Sequence, residues 1–182
     1  RRYLATTGIT DVWDLNSGLV ILGQWCLSNR RARDLIKNRE YFTVSSPWQP
    51  YSNKIQEAAN YCFKTYELLL PELAKSLNET HGVSYPVFSW RVLIGPWLLH
   101  FIEFLYDRYK HLEKGLELFP GLYTTVLPCS EKSLLSYDTH DFLGGKINEH
   151  YYNLKAFSAI ARHLCPGNIE QKEYMYEEKM YR

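Results

Sequence analysis

The chain has 182 residues, which is enough for one sizeable hydrophobic core and predicts a single domain. Its formal net charge of +1 argues against a nucleic-acid-binding protein, because contacts to phosphates need a basic excess. The composition is that of an ordinary globular protein, except that 15% of the residues are aromatic. Such a surplus is found in aromatic cores and also on surfaces that bind carbohydrate, nucleotide or protein.

Cysteine spacing argues against a zinc-binding protein, and hydropathy argues against a membrane-spanning protein. The four cysteines lie far apart, with no CxxC pair and no Cys/His pair at metal-ligand spacing. The sequence therefore predicts no metal site and no cofactor, and the cysteines favour a reduced, cytoplasmic location. No apolar run in the sequence has the length of a membrane-spanning helix.

Three apolar, β-branched runs predict the strands of a short parallel sheet. The run "LVILG" is continuously apolar and ends at a glycine, as a strand buried on both faces does. The runs "YFTV" and "LYTTV" have similar character, so we expect strands at about residues 19–23, 42–45 and 123–127. Helical segments separate these runs, which predicts the α/β class, and "RYLATTG" at the start is one more β-compatible run.

The region from residue 52 to 114 is predicted to be mainly helical, a large insertion between the second and third strands. Apolar residues recur at steps of three and four from Ile55 to Leu77, and Gly82 ends this stretch. We expect Pro71 to kink or restart the helix, because proline donates no N–H. For the same reason we expect Gly95-Pro96 to divide the next helix into two pieces.

The segment "LGQWCLSN" raises the question of a nucleotide-binding loop. A dinucleotide loop needs GxGxxG and an ATP-binding loop needs GxxxxGK[ST], whereas this segment contains Gly23 alone. We therefore interpret Gly23 as a turn at the end of a strand. Gln24 and Trp25 follow directly, at the sheet edge where ligand crevices form, and we predict that they bind substrate.

Arg91 lies within an otherwise apolar segment, "YPVFSWRVLIGPW". An arginine in such a place is costly unless a carboxylate, phosphate or carbonyl pairs with it. Two interpretations follow: a partly buried ion pair with Asp or Glu, or an arginine that binds an anionic substrate in a cleft. In both cases we expect Arg91 to be at least partly buried and to have a partner.

The densest polar stretch is "SYDTHDFLGGKINEH", in which Asp138, His140 and Asp141 come within four residues. A carboxylate and a histidine held together can deprotonate a hydroxyl nucleophile, so we predict these three residues as catalytic base or as anchor for an acceptor hydroxyl. The alternative is that Asp138 caps a helix. If the residues are catalytic, the loop from Tyr137 to Gly145 should lie at the carboxyl-end rim of the sheet, near Gln24 and Trp25.

Several stretches together resemble, in the same order, a family of bacterial transferases associated with surface-polysaccharide (lipopolysaccharide O-antigen) biosynthesis. They are "RYLATTGITDVWD", "ILGQWC", "SSPWQPY", "LLPELAKSLNETHGVSYPVFSWRVLIGPWLLHFIEFLYDRY" and "YDTHDFLGGKINEHYYNLKAFSAI". The block "WRVLIGPWL" is the most specific of these. Members of that family are much longer, so the resemblance implies that residues 1–182 are one α/β domain, the N-terminal part of a longer two-domain transferase.

The resemblance also implies an activity. It implies sugar transfer from a nucleotide-activated donor on a GT-B scaffold, with these residues as the Rossmann-like N-terminal half. In that architecture the N-terminal domain holds the glycan or glycolipid acceptor, and the missing C-terminal domain holds most of the nucleotide-sugar donor. The implied location is the cytoplasm, with peripheral association at the inner face of the membrane.

Two other functions stay open. One is a noncatalytic interaction domain that docks partners of a polysaccharide-assembly complex through its aromatic helices. The other is an independent small-molecule α/β enzyme, which the missing phosphate-binding loop disfavours.

Overall fold

A computed structural model of the chain describes residues 1–49, 52–128, 134–164 and 170–173, and its centre is a parallel sheet. The five strands are β1 (Arg2–Ala5), β2 (Gly18–Ile21), β3 (Tyr41–Thr43), β4 (Leu122–Val126) and β5 (Glu170–Glu173). Their order across the sheet is β3-β2-β1-β4-β5, and every neighbouring pair is parallel. The carboxyl ends of all these strands therefore lie along one edge.

The three predicted strands and the α/β class are confirmed, and the sheet is larger than predicted. The β-compatible run at the start of the chain forms β1, which lies at the centre of the sheet. β5 comes from the charged stretch "EQKE", which has no apolar pattern. It pairs with β4 at one edge of the sheet, and its charged composition did not indicate a strand, whereas the aromatic and β-branched residues of β3 did so at the other edge.

Helices supply most of the remaining structure. They are α1 (Arg30–Ile36), α2 (Ser52–His81), α3 (Val87–Leu118), α4 (Thr139–Gly144) and α5 (His150–Leu164), with short 3-10 helices at Thr10–Val12, Gln24–Leu27 and Lys146–Asn148. The prediction of a mainly helical region from 52 to 114 is confirmed. α2 ends before Gly82, whose φ of 63° is a left-handed conformation that glycine adopts without strain.

The prediction that Gly95-Pro96 divides the second long helix is wrong. α3 continues through Pro96, and α2 continues through Pro71, so neither proline ends a helix. The reason lies in the packing of the two helices, which are joined by residues 82–86 and lie side by side. A Cβ at Gly95 would lie 2.6 Å from the Tyr66 hydroxyl, so this glycine marks a close contact of α3 with α2 rather than a break.

The sheet is covered on both faces, because successive strand residues point to opposite sides. One face packs against α1 through Tyr3, Ala5, Leu19 and Ile21. The other face packs against α3 and α5 through Leu4, Val20, Leu22, Leu122 and Val126. Each buried aliphatic side chain contributes about 1.5–3 kcal/mol. With both faces covered, the carboxyl edge of the strands is the part of the sheet that a ligand can reach.

The hairpin of α2 and α3 carries apolar side chains on its surface. Leu68, Phe88 and Leu93 are 75%, 73% and 61% exposed. Within the described residues, no helix is long and apolar enough to cross a membrane, although α2 and α3 contain 30 and 32 residues.

Candidate functional site

The loop after β2 places Trp25 over the carboxyl end of β1. Its indole Nε1–H donates to the backbone oxygen of Thr6 at 2.9 Å, and its ring packs edge-on against His111 with centroids 4.9 Å apart. Gly23 precedes the short helix that carries Trp25, and its extended φ of −171° is open to any residue. The glycine is needed for space, because a Cβ there would lie 2.0 Å from the Trp25 ring. The interpretation of Gly23 as a strand-end turn is confirmed.

Gly23→Ala should destabilise the protein by about 1–3 kcal/mol, because the added methyl overlaps the Trp25 ring and must displace it. Urea unfolding followed by tryptophan fluorescence measures this loss. Gly18→Ala is the matched control, since a Cβ at Gly18 would meet the Arg2 Cγ at an ordinary 3.4 Å. Equal losses for the two variants would contradict a steric role for Gly23.

Helix α3 brings an aspartate and a histidine to the same edge, one helical turn apart. His111 is 7% exposed, and its Nδ1 lies 2.9 Å from the backbone oxygen of Asp107 and 3.4 Å from the Asp107 carboxylate. A carbonyl oxygen can only accept, so Nδ1 carries the hydrogen and Nε2 of the neutral ring keeps its lone pair. The arrangement therefore presents His111 Nε2 as a proton acceptor.

Asp107 is held as an anion by its neighbours. Its carboxylate accepts from Trp48 Nε1 at 2.8 Å and from Arg108 at 2.9 Å. Burial raises the pKa of Asp107, but the hydrogen bonds from His111 and Trp48 and the charge of Arg108 oppose burial, and the net pKa lies below its usual value. An ionised Asp107 orients the His111 ring.

A second histidine, His150 at the start of α5, ties together the loops after β1 and β2. Its Nδ1 accepts from the Gly8 N–H at 3.3 Å, so Nε2 carries the ring hydrogen and donates to Ser28 Oγ at 2.8 Å. Burial lowers the pKa of His150, which favours the neutral ring. Because Nε2 already holds a hydrogen, His150 does not accept a proton from Ser28 in this arrangement. Its role here is to position the loops.

The lowered pKa of His150 makes part of the folding stability depend on pH. The folded chain favours the neutral ring, so the unfolded chain binds more protons once the pH falls below about 6.5. The contribution of this site to stability is complete above that pH and declines as the pH falls toward the folded-state pKa. We expect His150→Asn, whose amide oxygen can still accept from Gly8, to lose less unfolding free energy on acidification from about pH 7.5 to 5. Urea unfolding across that range measures the slope; equal slopes for both proteins would contradict the assignment.

Trp25 separates two cavities at the carboxyl edge of the sheet. The first, the sheet-edge cavity, has a volume of about 400 Å³. Its lining includes Gln24 and Trp25 after β2, Ser45, Ser46 and Gln49 after β3, and His111 of α3. The second has about 130 Å³ and is lined by Trp25, Asp107, Arg108 and His150, with residues 147, 148 and 153. The sheet-edge cavity thus combines an aromatic wall, neutral hydroxyl and amide groups and a basic nitrogen, a lining suited to a hydroxyl-rich ligand.

Gln24 and Trp25 lie where the sequence predicts, at the ligand-accessible edge of the sheet, and their contact with substrate stays a prediction.

The predicted catalytic residues, Asp138, His140 and Asp141, lie instead at the start of α4. Asp138 caps this helix by accepting from the Asp141 N–H at 2.7 Å, and Asp141 accepts from the Tyr137 N–H at 3.0 Å. These two bonds form a reciprocal cap, which is the alternative role considered for Asp138.

His140 is exposed on α4, and the helix is anchored through Phe142 to α3 and α5. The chain segment that lines a cavity beside Trp25 is the following one, with Ile147 and Asn148. The catalytic role of Asp138, His140 and Asp141 is untested, and the capping bonds give Asp138 and Asp141 a structural role instead.

Arg91 is half-buried and forms an ion pair with Glu67 of α2. Its two terminal nitrogens lie 2.5 and 2.8 Å from the two carboxylate oxygens, and its guanidinium lies over the Tyr66 ring. The expectation of a partner is confirmed, and the hydrogen bond from Arg91 lowers the pKa of Glu67. Arg91 lies about 30 Å from His111 along the axis of α3 at 1.5 Å per residue, so the structure does not bring it to the sheet edge. Its role in substrate binding stays a prediction.

The sequence did not predict that Asp107 and His111 form a pair, although their spacing of four residues places them on one helix face. Asp107 is also four residues from Glu103, and the sequence groups it equally well with His100 and Glu103. In the structure, His100 pairs with Glu103 at 3.1 Å, whereas Asp107 contacts His111.

Among the residues that the structure describes, no group of three or more His, Cys, Asp or Glu side chains could hold a metal ion.

Comparison with known proteins gives the family. No curated protein and no solved structure matches the chain. A profile of the LIC12162 family transferases matches residues 2–182, which is nearly the whole sequence. The chain therefore belongs to the LIC12162 family of transferases.

Proposed function

We propose that the chain is the acceptor side of a glycosyltransferase, which moves a sugar from a nucleotide-activated donor to a glycan or glycolipid in surface-polysaccharide (O-antigen) biosynthesis. The observation that carries this proposal is that His111, which pairs with Asp107, lines the sheet-edge cavity. The cavity offers neutral hydroxyl and amide groups to a sugar and one basic nitrogen to its reacting hydroxyl. Membership of a transferase family supports the reaction class.

In this reaction the acceptor hydroxyl attacks the anomeric carbon of the donor. The new carbon–oxygen bond forms as the bond to the nucleotide phosphate breaks, and the nucleotide leaves with the electron pair. The hydroxyl proton passes to His111 Nε2, and the Asp107 carboxylate stabilises the resulting imidazolium. Trp25 offers an apolar face to the sugar C–H groups, and Gln24 can hydrogen-bond a sugar hydroxyl.

We propose that a second domain of the GT-B type binds most of the donor. No GxGxxG or GxxxxGK[ST] loop occurs in the sequence to hold its phosphates. The strand order β3-β2-β1-β4-β5 equals that of the first five strands in dinucleotide-binding doubly wound sheets, which supports a Rossmann-like half. On this proposal the protein works in the cytoplasm, at the inner face of the membrane where a glycolipid acceptor is presented.

Product analysis tests the activity. The natural protein that contains this chain is incubated with a panel of nucleotide sugars and with glycolipid precursors extracted from the membranes of its source. We expect mass spectrometry to show one acceptor gaining the mass of one sugar and the release of the matching nucleotide. Nucleotide release without a glycosylated product, or no turnover of any donor, would contradict the proposal.

The exposed apolar residues of the α2–α3 hairpin favour a second candidate, a noncatalytic domain that docks partners of a polysaccharide-assembly complex. Leu68 and Phe88 are more than 70% exposed, at 75% and 73%. A docking domain would lose co-purification with its partners on Leu68→Glu or Phe88→Glu, and it would transfer no sugar. A transferase would keep its rate of sugar transfer in both variants.

A further inference from the structure

Outside the sheet-edge cavity, a cavity of about 460 Å³ lies between the first turns of α2 and the second half of α3. Three aromatic rings line it: Trp48 from the loop after β3, Tyr61 from α2 and Tyr106 from α3. The Tyr61 and Tyr106 centroids are 4.8 Å apart, and those of Trp48 and Tyr106 are 6.3 Å apart. Tyr61 is 54% exposed, so its ring is available to a ligand. We call this cavity the aromatic cleft.

The charged groups of the aromatic cleft balance one another. Its lining contains three lysines and three glutamates: Lys54, Lys110, Lys114, Glu57, Glu113 and Glu117. Lys110 is paired with Glu113, whose hydrogen bond raises the pKa of the Lys110 ammonium, and Lys114 lies 3.1 Å from Glu117. An anionic nucleotide would meet as many carboxylates as ammonium groups and would gain little from this lining.

Hydroxyl groups suit such a lining better than phosphates do. A sugar hydroxyl can donate to a carboxylate and accept from a neighbouring ammonium, so alternating groups satisfy both of its functions. The C–H faces of a sugar ring are apolar and can cover the Tyr61 ring, which removes apolar surface from water. The lining of the aromatic cleft therefore fits a neutral sugar.

The aromatic cleft adjoins the candidate catalytic pair through one residue. Trp48 lines the cleft, donates from Nε1 to the Asp107 carboxylate at 2.8 Å, and has its ring centroid 6.4 Å from that of His111. The same loop after β3 contributes Ser45 and Ser46 to the sheet-edge cavity. A ligand that extends past this loop would occupy both cavities.

We propose that the aromatic cleft is a second carbohydrate-binding site, which holds a neutral sugar ring next to the reacting one. The acceptor is then an oligosaccharide of at least two rings, one in the sheet-edge cavity and one in the aromatic cleft. This reading of the acceptor rests on the proposed glycosyl transfer, whereas the binding of sugar in the cleft does not.

Binding without a donor tests the proposal. The protein is applied to a glycan array that carries neutral and acidic bacterial oligosaccharides, and the affinity for the strongest ligand is then measured by calorimetry, with uridine diphosphate as the anionic comparison. We expect a neutral oligosaccharide to bind and Tyr61→Ala to weaken its binding by about tenfold. Tyr85→Ala is the matched control, because Tyr85 is similarly exposed, at 50%, but lies at the turn between α2 and α3. It should bind as wild type does.

Three results would overturn the proposal: no array glycan bound by the wild type, equal affinity in Tyr61→Ala, or tighter binding of uridine diphosphate than of any oligosaccharide. Tyr61→Ala loses the ring contact with Tyr106, so its unfolding midpoint should fall slightly, and a transition that stays cooperative excludes misfolding as the cause of weaker binding. Oligosaccharide binding without any sugar transfer would contradict the proposed glycosyl transfer but not the sugar site in the aromatic cleft. Normal transfer and unchanged binding in Tyr61→Ala would contradict the sugar site but not the proposed transfer.

Discussion

His111→Gln should lower the rate of sugar transfer by about 10²- to 10⁴-fold, the range expected when a general base is removed. The reason is that Nδ1 of His111 bonds to the backbone oxygen of Asp107, which makes Nε2 of the neutral ring the proton acceptor. Glutamine fills much of the same volume but has no basic nitrogen. Rates under saturating acceptor and donor measure the loss, and the Michaelis constant for the acceptor should change much less than kcat.

His100→Gln is the matched control for this effect. It makes the same substitution on the same helix at a partly exposed histidine that pairs with Glu103 at 3.1 Å. Its transfer rate should equal that of the wild type. Equal losses in the two variants would mean that the rate depends on the stability of α3 rather than on a base at residue 111.

Phe142→Ala should lower the free energy of unfolding by about 3–5 kcal/mol, as other truncations of buried phenylalanines do. Phe142 is 0% exposed, and its ring packs against those of Phe104, Phe101 and Tyr152 at centroid distances of 5.6, 5.9 and 6.1 Å. Removing the ring leaves a cavity at the junction of α3, α4 and α5. Urea unfolding monitored by circular dichroism measures the loss.

The neighbouring residue supplies the control for Phe142. Leu143 is 39% exposed on the same short helix, so Leu143→Ala should change stability by less than about 1 kcal/mol. Similar losses at the two positions would show that α4 is not anchored through Phe142. A loss of stability in Phe142→Ala would show that burial of this ring holds α4 in place. Any effect of Asp138 or Asp141 on catalysis could then be measured separately from the anchoring of the helix.

Strands rich in apolar, aromatic and β-branched residues could be predicted from the sequence, including β3 at one edge of the sheet, whereas β5 at the other edge could not. β2 and β4 consist almost wholly of buried residues, and their runs "LVI" and "LYTTV" are rich in apolar and β-branched residues. β5 pairs with β4 through its backbone, and its charged sequence "EQKE" carries no such signal. The prediction at Gly95-Pro96 failed because local preference favoured a break, while packing of Gly95 against Tyr66 keeps the helices together.

Part of the candidate site could likewise be predicted from the sequence, and part could not. The place of Gln24 and Trp25 at the sheet edge could be predicted because they follow a recognisable strand, and a strand end is a local feature. His111 and Asp107 come from a helix much later in the chain, and their spacing shows a shared face without showing what that face contacts. Trp25 meets His111 through the tertiary packing of α3 on the sheet, which no local pattern encodes.

The measurement that tests the account most directly is a comparison of transfer rates in three variants of the natural protein: His111→Gln, Asp138→Asn and Asp141→Asn. Asparagine caps a helix as well as aspartate does, and its amide oxygen can accept the N–H that each carboxylate accepts, so both Asp variants should fold normally. We predict a loss of about 10²-fold or more in His111→Gln and rates near that of the wild type in the Asp variants. Loss of transfer in Asp138→Asn or Asp141→Asn, with normal transfer in His111→Gln, would contradict the role of His111 as the base and place the base on α4.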